Sequence, residues 1–239
     1  MLVLATRNPG KLREFRELLA GLPFEVAGLD AFGEVARLPE PEETGETFAE
    51  NARLKALYYA AATGQWCLAD DSGLVVDALS GEPGVRSARY AGDEVPPGSP
   101  RHEIDQANNR KLLRELAHVP DHARTARFVC HVALACGAGV SPSPPAREKD
   151  SPYITDQPHG THNTGETPVP RVWLEADGAV EGRILHAPRG HNGFGYDPLF
   201  FIDAKTRTTA ELPADEKNEL SHRGQAMRKL AAMLRNQLG

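Results

Sequence analysis

Four polar clusters interrupt an otherwise apolar framework in this chain, and each carries groups suited to a phosphate-bearing ligand. The first is Thr6-Arg7-Asn8-Pro9-Gly10-Lys11, a loop rich in hydroxyl, amide, guanidinium and ammonium donors. It lies just before a helical pattern, where free backbone N–H groups and the helix dipole reinforce a lysine charge toward phosphate oxygens. The GxxxxGK[ST] P-loop pattern is absent, and the same residues also suit an ordinary strand-to-helix turn. The second cluster is acidic: Glu40, Glu42 and Glu43, followed by Asp70 and Asp71 in the segment DDSG. Adjacent carboxylates at the end of a buried strand demand a cation or hydrogen-bond donors. Oxygen-only groups suit Mg²⁺, which keeps several waters and bridges carboxylates to substrate phosphates. Carboxylates capping backbone N–H groups before Gly73 are the competing account.

The third cluster is HNGFGYDPLF, in which Gly193 and Gly195 bracket Phe194 and are followed by Tyr196 and Asp197. Glycines beside an aromatic let backbone approach a flat ring while Phe or Tyr stacks on it, although a structural aromatic corner uses the same residues. The fourth is EKNELSHRG, with Lys217 ahead of a C-terminal helical pattern and His222 and Arg223 in its first turn. Cations there oppose the helix dipole, which favours an anionic or electron-rich ligand over a solvated cap.

Positioning these groups falls to strands and helices that alternate along the chain. Leu2 to Ala5 reads as a buried strand, and Leu12, Phe15, Leu18 and Leu19 as a helix face. Thr47 and Glu50 form a capping box for a second helix that stops at Gly64. Cys67 to Ala69 is a short strand that runs into DDSG, where Asp70 and Asp71 end it, with Leu74 to Ala78 beyond. A third helix is predicted over His102 to Leu116. Ala126, Phe128, Cys130, Val132 and Leu134 alternate along a strand. Asp177-Gly178 reads as the two-residue turn of a hairpin between Arg171–Ala176 and Ala179–Ile184. Leu199 to Ile202 is a strand, and Ser221 caps a final helix carrying Met227, Leu230, Leu234 and Leu238. The pattern predicts an α/β protein with a mixed central sheet.

Composition narrows the function classes. A net charge of -6 argues against bulk electrostatic binding to nucleic acid or anionic lipid. The opening residues turn polar too early for a signal peptide, and no run approaches a membrane span, so a soluble, cytoplasmic chain is expected. Cys67, Cys130 and Cys136 lack CxxC spacing and sit in apolar runs, as buried thiols do. Between 137 and 170, Pro142, Pro144, Pro145, Pro152, Pro158, Pro168 and Pro170 supply seven of the 19 prolines without apolar periodicity. That segment reads as a Pro-rich surface insertion, with His159 and His162 part of a solvated loop.

Taken together the clusters are the parts of a nucleoside triphosphate site, and at this point the sequence resembles the inosine triphosphate pyrophosphatases, the dITP/XTP pyrophosphatase family. The resemblance lies in LATRNPGKLRE, EETGETFAENARLKA, LADDSGLVVDALSGEPGVRSARYAG, NGFGYDPLFF and AELPADEKNELSHRGQAM, in that order. It implies one domain over residues 1–239, an elongated two-lobed subunit with the site in a cleft between lobes, and a homodimer. It implies further that Thr6, Arg7, Asn8, Pro9, Gly10 and Lys11 hold the triphosphate and that Glu42 and Asp71 place Mg²⁺. Glu43 differs from Glu42 only by register relative to Gly45. Asp71 is then the proton acceptor, and Ser72, Phe194, Gly195, Tyr196, Asp197, Lys217, His222 and Arg223 surround the nucleotide. The implied reaction is Mg²⁺-dependent hydrolysis of ITP, dITP or XTP to monophosphate and pyrophosphate. A pyrophosphatase of modified pyrimidine triphosphates and a non-catalytic nucleotide sensor are the alternatives.

Overall fold

The computed structural model describes residues 1–20, 24–137 and 169–238. Leu2–Leu4 forms β1, buried throughout. Asn8 starts α1 (Pro9–Leu18) by accepting hydrogen bonds from the Gly10 and Lys11 N–H groups, and Pro9 sits at a position whose N–H has no helical partner. β2 (Val26–Gly28) follows. α2 (Phe48–Thr63) opens on the expected Thr47–Glu50 capping box and closes at Gly64, where φ is 65° and a side chain would be strained. The remaining elements are β3 (Trp66–Val76), α3 (Arg101–Glu115), β4 (Thr125–Cys136), β5 (Arg171–Ile184), β6 (Phe200–Ile202), β7 (Arg207–Thr208), α4 (Ala214–Leu220) and α5 (His222–Leu238). Ser221 caps α5 as its sequence suggests, accepting the Gly224 N–H at 2.9 Å.

The strands form one sheet in the order β2-β1-β3-β4-β5-β6-β7. β1 is parallel to β2 and β3, and every later neighbour is antiparallel. The expected mixed α/β sheet is therefore present. Two local expectations are corrected. DDSG does not end the strand: Asp70, Asp71, Ser72 and Gly73 lie inside β3 and pair with Val132, His131, Cys130 and Val129 of β4. Asp177-Gly178 is not a hairpin turn, because β5 runs straight through it and pairs with β4. Gly178 is there for clearance: a Cβ would fall on the His222 carbonyl oxygen and crowd the Ala226 nitrogen, so only glycine lets α5 lie directly on the strand. Lys217 belongs to the separate short helix α4 rather than to the approach of α5.

Alternation along β3 sends Leu68 and Leu74 to one sheet face and Cys67 and Ala69 to the other. On the first face, α1 and α5 close a core around Leu68, Val132, Met227 and Leu230. A second core on that face gathers Leu74, Leu112, Phe128 and Phe200. Ala52, Ala56 and Ala60 of α2 cover the opposite face. Asp70 and Ser72 sit between the two cores of the first face, so a cleft opens where the apolar packing is interrupted. Most of the segment 137–170, including His159 and His162, lies outside the described residues.

Candidate active site

β1 ends at Leu4, yet β3 continues, and the turn Gly84–Arg89 rejoins the edge of β3 only where Ser87 Oγ accepts the Leu74 N–H at 2.9 Å. The intervening stretch, Asp70 to Gly73, borders a cleft of about 430 Å³. Because successive strand residues face opposite ways, the two aspartates do different work. Asp70 turns toward α1 and α5. Its carboxylate meets Lys11 Nζ at 2.8 Å, Arg223 Nε at 3.6 Å and the Ser72 hydroxyl at 3.0 Å. Burial opposes its ionisation, but Lys11, Arg223 and Lys55 outweigh that and hold it well below the usual carboxylate range.

Asp71 turns toward α2, where Asn51 Nδ2 donates to it at 3.2 Å and Lys55 Nζ at 3.3 Å. Burial pushes the Asp71 carboxyl up, and Lys55 only partly offsets it. Lys55 also reaches Glu43 at 2.9 Å. Its own pKa is raised: burial works against the charge, but Asp71, Asp70 and Glu43 more than compensate. For Glu43, burial acts upward, while Lys55 and Arg89 together bring the carboxyl below its ordinary value. Glu43, not Glu42, lines the cleft; Glu42 is exposed. One residue of register in the loop before α2 makes that difference, because the capping box pins the chain at Thr47.

The Thr6–Lys11 loop borders the cleft only in part. Thr6, Arg7, Asn8 and Lys11 line the cleft. Asn8 Oδ1 already takes the Gly10 and Lys11 N–H groups at 2.9 and 3.3 Å, so those helix-terminal donors are engaged by the cap. Arg7 donates to the Ala36 and Leu38 carbonyls, which ties the loop to the acidic segment. Pro9 is exposed, and Gly10 serves proximity: a Cβ there would stand 3.0 Å from the Phe194 ring. Neither Pro9 nor Gly10 lines the cleft.

The aromatic loop and the terminal helices close the far end. Phe194 donates its N–H to Asp197 Oδ2 at 2.8 Å, and Lys217 Nζ and Arg223 Cζ stand 5.1 and 5.2 Å from its ring centroid. Tyr196 is buried with its hydroxyl on the Ser87 carbonyl at 2.9 Å. Lys217 lies behind the lining, bonded to Asp197 at 2.8 Å and Glu14 at 3.3 Å. Arg223 reaches Glu14 at 2.9 Å and donates to Ser72 Oγ at 3.1 Å. His222 stacks on Phe128, with ring centroids 5.0 Å apart and planes 15° from parallel. Burial, then Arg223 and Lys217, lower its pKa well below the ordinary imidazole value, so it is neutral at pH 7.

That depressed value has a consequence for stability. A histidine whose folded pKa lies below its unfolded value of about 6.5 contributes stability that is full above that pH and is lost as pH falls toward the folded pKa. Wild type is expected to lose up to about 1.4 kcal/mol per pH unit from this group below pH 6.5, roughly 3 °C in melting temperature. His222→Gln should flatten that slope in melts between pH 7.5 and 5; an identical slope in both proteins contradicts the assignment.

Asn51, Lys55, Glu14, Ser87 and Phe128 were not singled out by the sequence. The first two had a signal: four apart on a helix whose start the capping box fixes, they share one face. Glu14 had none, since a charged residue beside Phe15 reads as solvent-facing.

Among the described residues no group of three His, Cys, Asp or Glu could hold a metal ion. The acidic pair Glu43–Asp71 is therefore the place to ask about a divalent cation. An ammonium already sits between the two carboxylates, and Mg²⁺ commonly uses one or two carboxylates with waters and substrate phosphates completing its shell. The donor set fits such an ion.

The profile of the Ham1 family matches residues 2–169 and 166–233. A dITP/XTP pyrophosphatase of Geobacter sulfurreducens is 45% identical over 238 residues, 100% of this chain and 96% of that protein. One of Streptomyces coelicolor is 44% identical, covering 100% and 98%. Among solved structures, a HAM1 protein from Coxiella burnetii superposes with a TM-score of 0.73 at 38% identity, covering 98% of each chain. No described helix is long and apolar enough to cross a membrane.

Proposed function

Because the chain belongs to the Ham1 family, we propose that its cleft hydrolyses noncanonical purine nucleoside triphosphates, ITP, dITP and XTP, to the monophosphate and pyrophosphate. The observation that carries this reading is Asp71, a buried carboxylate with a raised pKa, in the same cleft as the Thr6–Lys11 loop and Phe194. Thr6, Asn8 and Lys11 hold the triphosphate. Glu43 and Asp71 would hold Mg²⁺, which when bound neutralises phosphate charge and makes water more acidic. Asp71 accepts the proton of the water that attacks the α-phosphorus, and Asn51 and Lys55 keep its carboxylate aimed at that water. Lys11 and Lys55 stabilise charge that develops toward the pyrophosphate leaving group.

Phe194 stacks on the purine. A neutral His222 has one N–H to offer, and the Arg223 guanidinium, which also lines the cleft, adds others. A 6-oxo purine accepts such donors, whereas the 6-amino group of adenine leaves them mispaired, an arrangement that can discriminate by roughly 10⁴. Lys217 acts from behind, holding Asp197 and through it the Phe194 backbone. The proposal includes a homodimer working on the cytoplasmic nucleotide pool.

A panel of ITP, XTP, ATP, GTP and modified pyrimidine triphosphates with Mg²⁺ tests this by product and rate. Pyrophosphate should be the first product, and ITP and XTP should exceed ATP by at least about a hundredfold in kcat/KM. Equal use of ATP, or orthophosphate as first product, overturns it. Preference for the pyrimidines, or binding without turnover, would establish one of the two alternative readings instead.

A further inference from the structure

Phe194 is presented by a residue that does not hold itself. Gly195 has φ of 61°, and nothing stands within 4 Å of where a Cβ would be, so its conformation is not fixed by packing. Instead, two side chains of α3 grip its peptide groups from one helix face. Gly195 donates its N–H to Asp105 Oδ2 at 3.0 Å, and Asn109 Nδ2 donates to the Gly195 carbonyl at 2.9 Å. The residues are four apart, the spacing that places two side chains side by side on a helix. Between them, Asn108 accepts the Ala91 N–H at 2.7 Å and donates to the Ser87 carbonyl at 3.3 Å. α3 thus fastens the aromatic loop and the Gly84–Arg89 turn to the same rod.

The rod is itself anchored. Arg124, 1% exposed, donates to the Leu116 carbonyl at the end of α3 at 2.6 Å and to Ile184 and Leu185 at 2.8 and 3.1 Å. Side chains that fix both the N–H and the C=O of one glycine remove the freedom that glycine otherwise brings to a loop.

We propose that Asp105 and Asn109 are positioning residues for the nucleobase: by clamping the Gly195 peptide they hold the Phe194 ring ready for stacking. The proposal rests on the purine triphosphate reading above. Asp105 makes an ion pair with Arg101 at 2.9 Å as well, but Arg101 is half exposed, which limits what that pair contributes.

The variants Asp105→Ala and Asn109→Leu each remove one half of the clamp, while Asp105→Asn keeps an acceptor for the Gly195 N–H. Steady-state kinetics with ITP would be compared with inhibition by inorganic triphosphate, which has the phosphates but no base. Loss of one hydrogen bond to the loop should raise KM for ITP about five- to tenfold, with kcat and the triphosphate inhibition constant each within about twofold of wild type. Asp105→Asn should restore most of the KM. Amide exchange at Gly195 should accelerate in Asp105→Ala and Asn109→Leu, a readout that does not depend on turnover. An unchanged KM in both loss variants, a triphosphate constant that rises in step with KM, or no rescue by Asp105→Asn overturns the proposal. Wild-type protein that fails to hydrolyse ITP would instead overturn the substrate reading, and the exchange data would still decide the clamp.

Discussion

Asp71→Asn is expected to lower kcat for ITP by about a thousandfold, within the range that removal of a general base produces, with the melting temperature within a few degrees of wild type. The side chain keeps its shape, so the strand pairing of β3 with His131 of β4 is untouched. What disappears is the proton acceptor proposed above. Stability should hardly suffer because burial penalises the charged Asp71 carboxyl, and Lys55 retains Glu43 at 2.9 Å as a partner. Pyrophosphate release and thermal melts on the same preparation check both halves. Activity within tenfold of wild type would remove Asp71 from the chemistry.

Glu14→Ala should have the opposite profile, a structural loss that carries activity down with it. Glu14 is the shared acceptor of Lys217 at 3.3 Å and Arg223 at 2.9 Å, and all three side chains are nearly buried, at 11%, 10% and 7% exposure. Removing one partner of a buried charge set strands the others, which costs about 3 kcal/mol, or roughly 10 °C in melting temperature for a chain of this size. Asp197 and Asp70 still face the stranded cations, so the protein should remain folded at 25 °C. Thermal and urea melts measure the loss, and Glu14→Gln should recover part of it, because its amide oxygen can still accept one of the two hydrogen bonds. A melting temperature equal to wild type would show that Glu14 compensates nothing.

Local signals in the chain predicted what depends on local physics. The Thr47–Glu50 box, the left-handed stop at Gly64, the Ser221 cap and the alternation from Ala126 to Leu134 all reappear in the structure. DDSG and Asp177-Gly178 misled because Asp and Gly are poor strand formers and good turn formers. In each case tertiary packing overrides that preference: Asp70 is compensated by Lys11 and Arg223, and Gly178 makes room for α5. The four clusters lay far apart in sequence, and most of their residues meet in the cleft. That Glu43 rather than Glu42 lines the cleft shows only in three dimensions, since two adjacent glutamates carry the same local signal. Asn108 and Asn109 stood unnoticed in α3 because a helix face that binds backbone looks, in sequence, like a face that binds water.

The seating of α5 on Gly178 also bears on the order in which the molecule comes into being. The contacts of Glu14 with Lys217 and Arg223 span 203 and 209 residues, and that of Ser72 with Arg223 spans 151. Closing loops of that length is slow and is rewarded only once the intervening strands have paired. In a chain emerging from its N-terminus, β1, α1, α2 and β3 are complete long before any cation from α4 or α5 exists to meet Glu14 and Asp70. Asp70 has Lys11 from the start, but Glu14 must stay hydrated until the last helices arrive, so the core around Leu68 and Met227 cannot close early over a half-made cleft. Completion of the fold and completion of the nucleotide site are then a single late event.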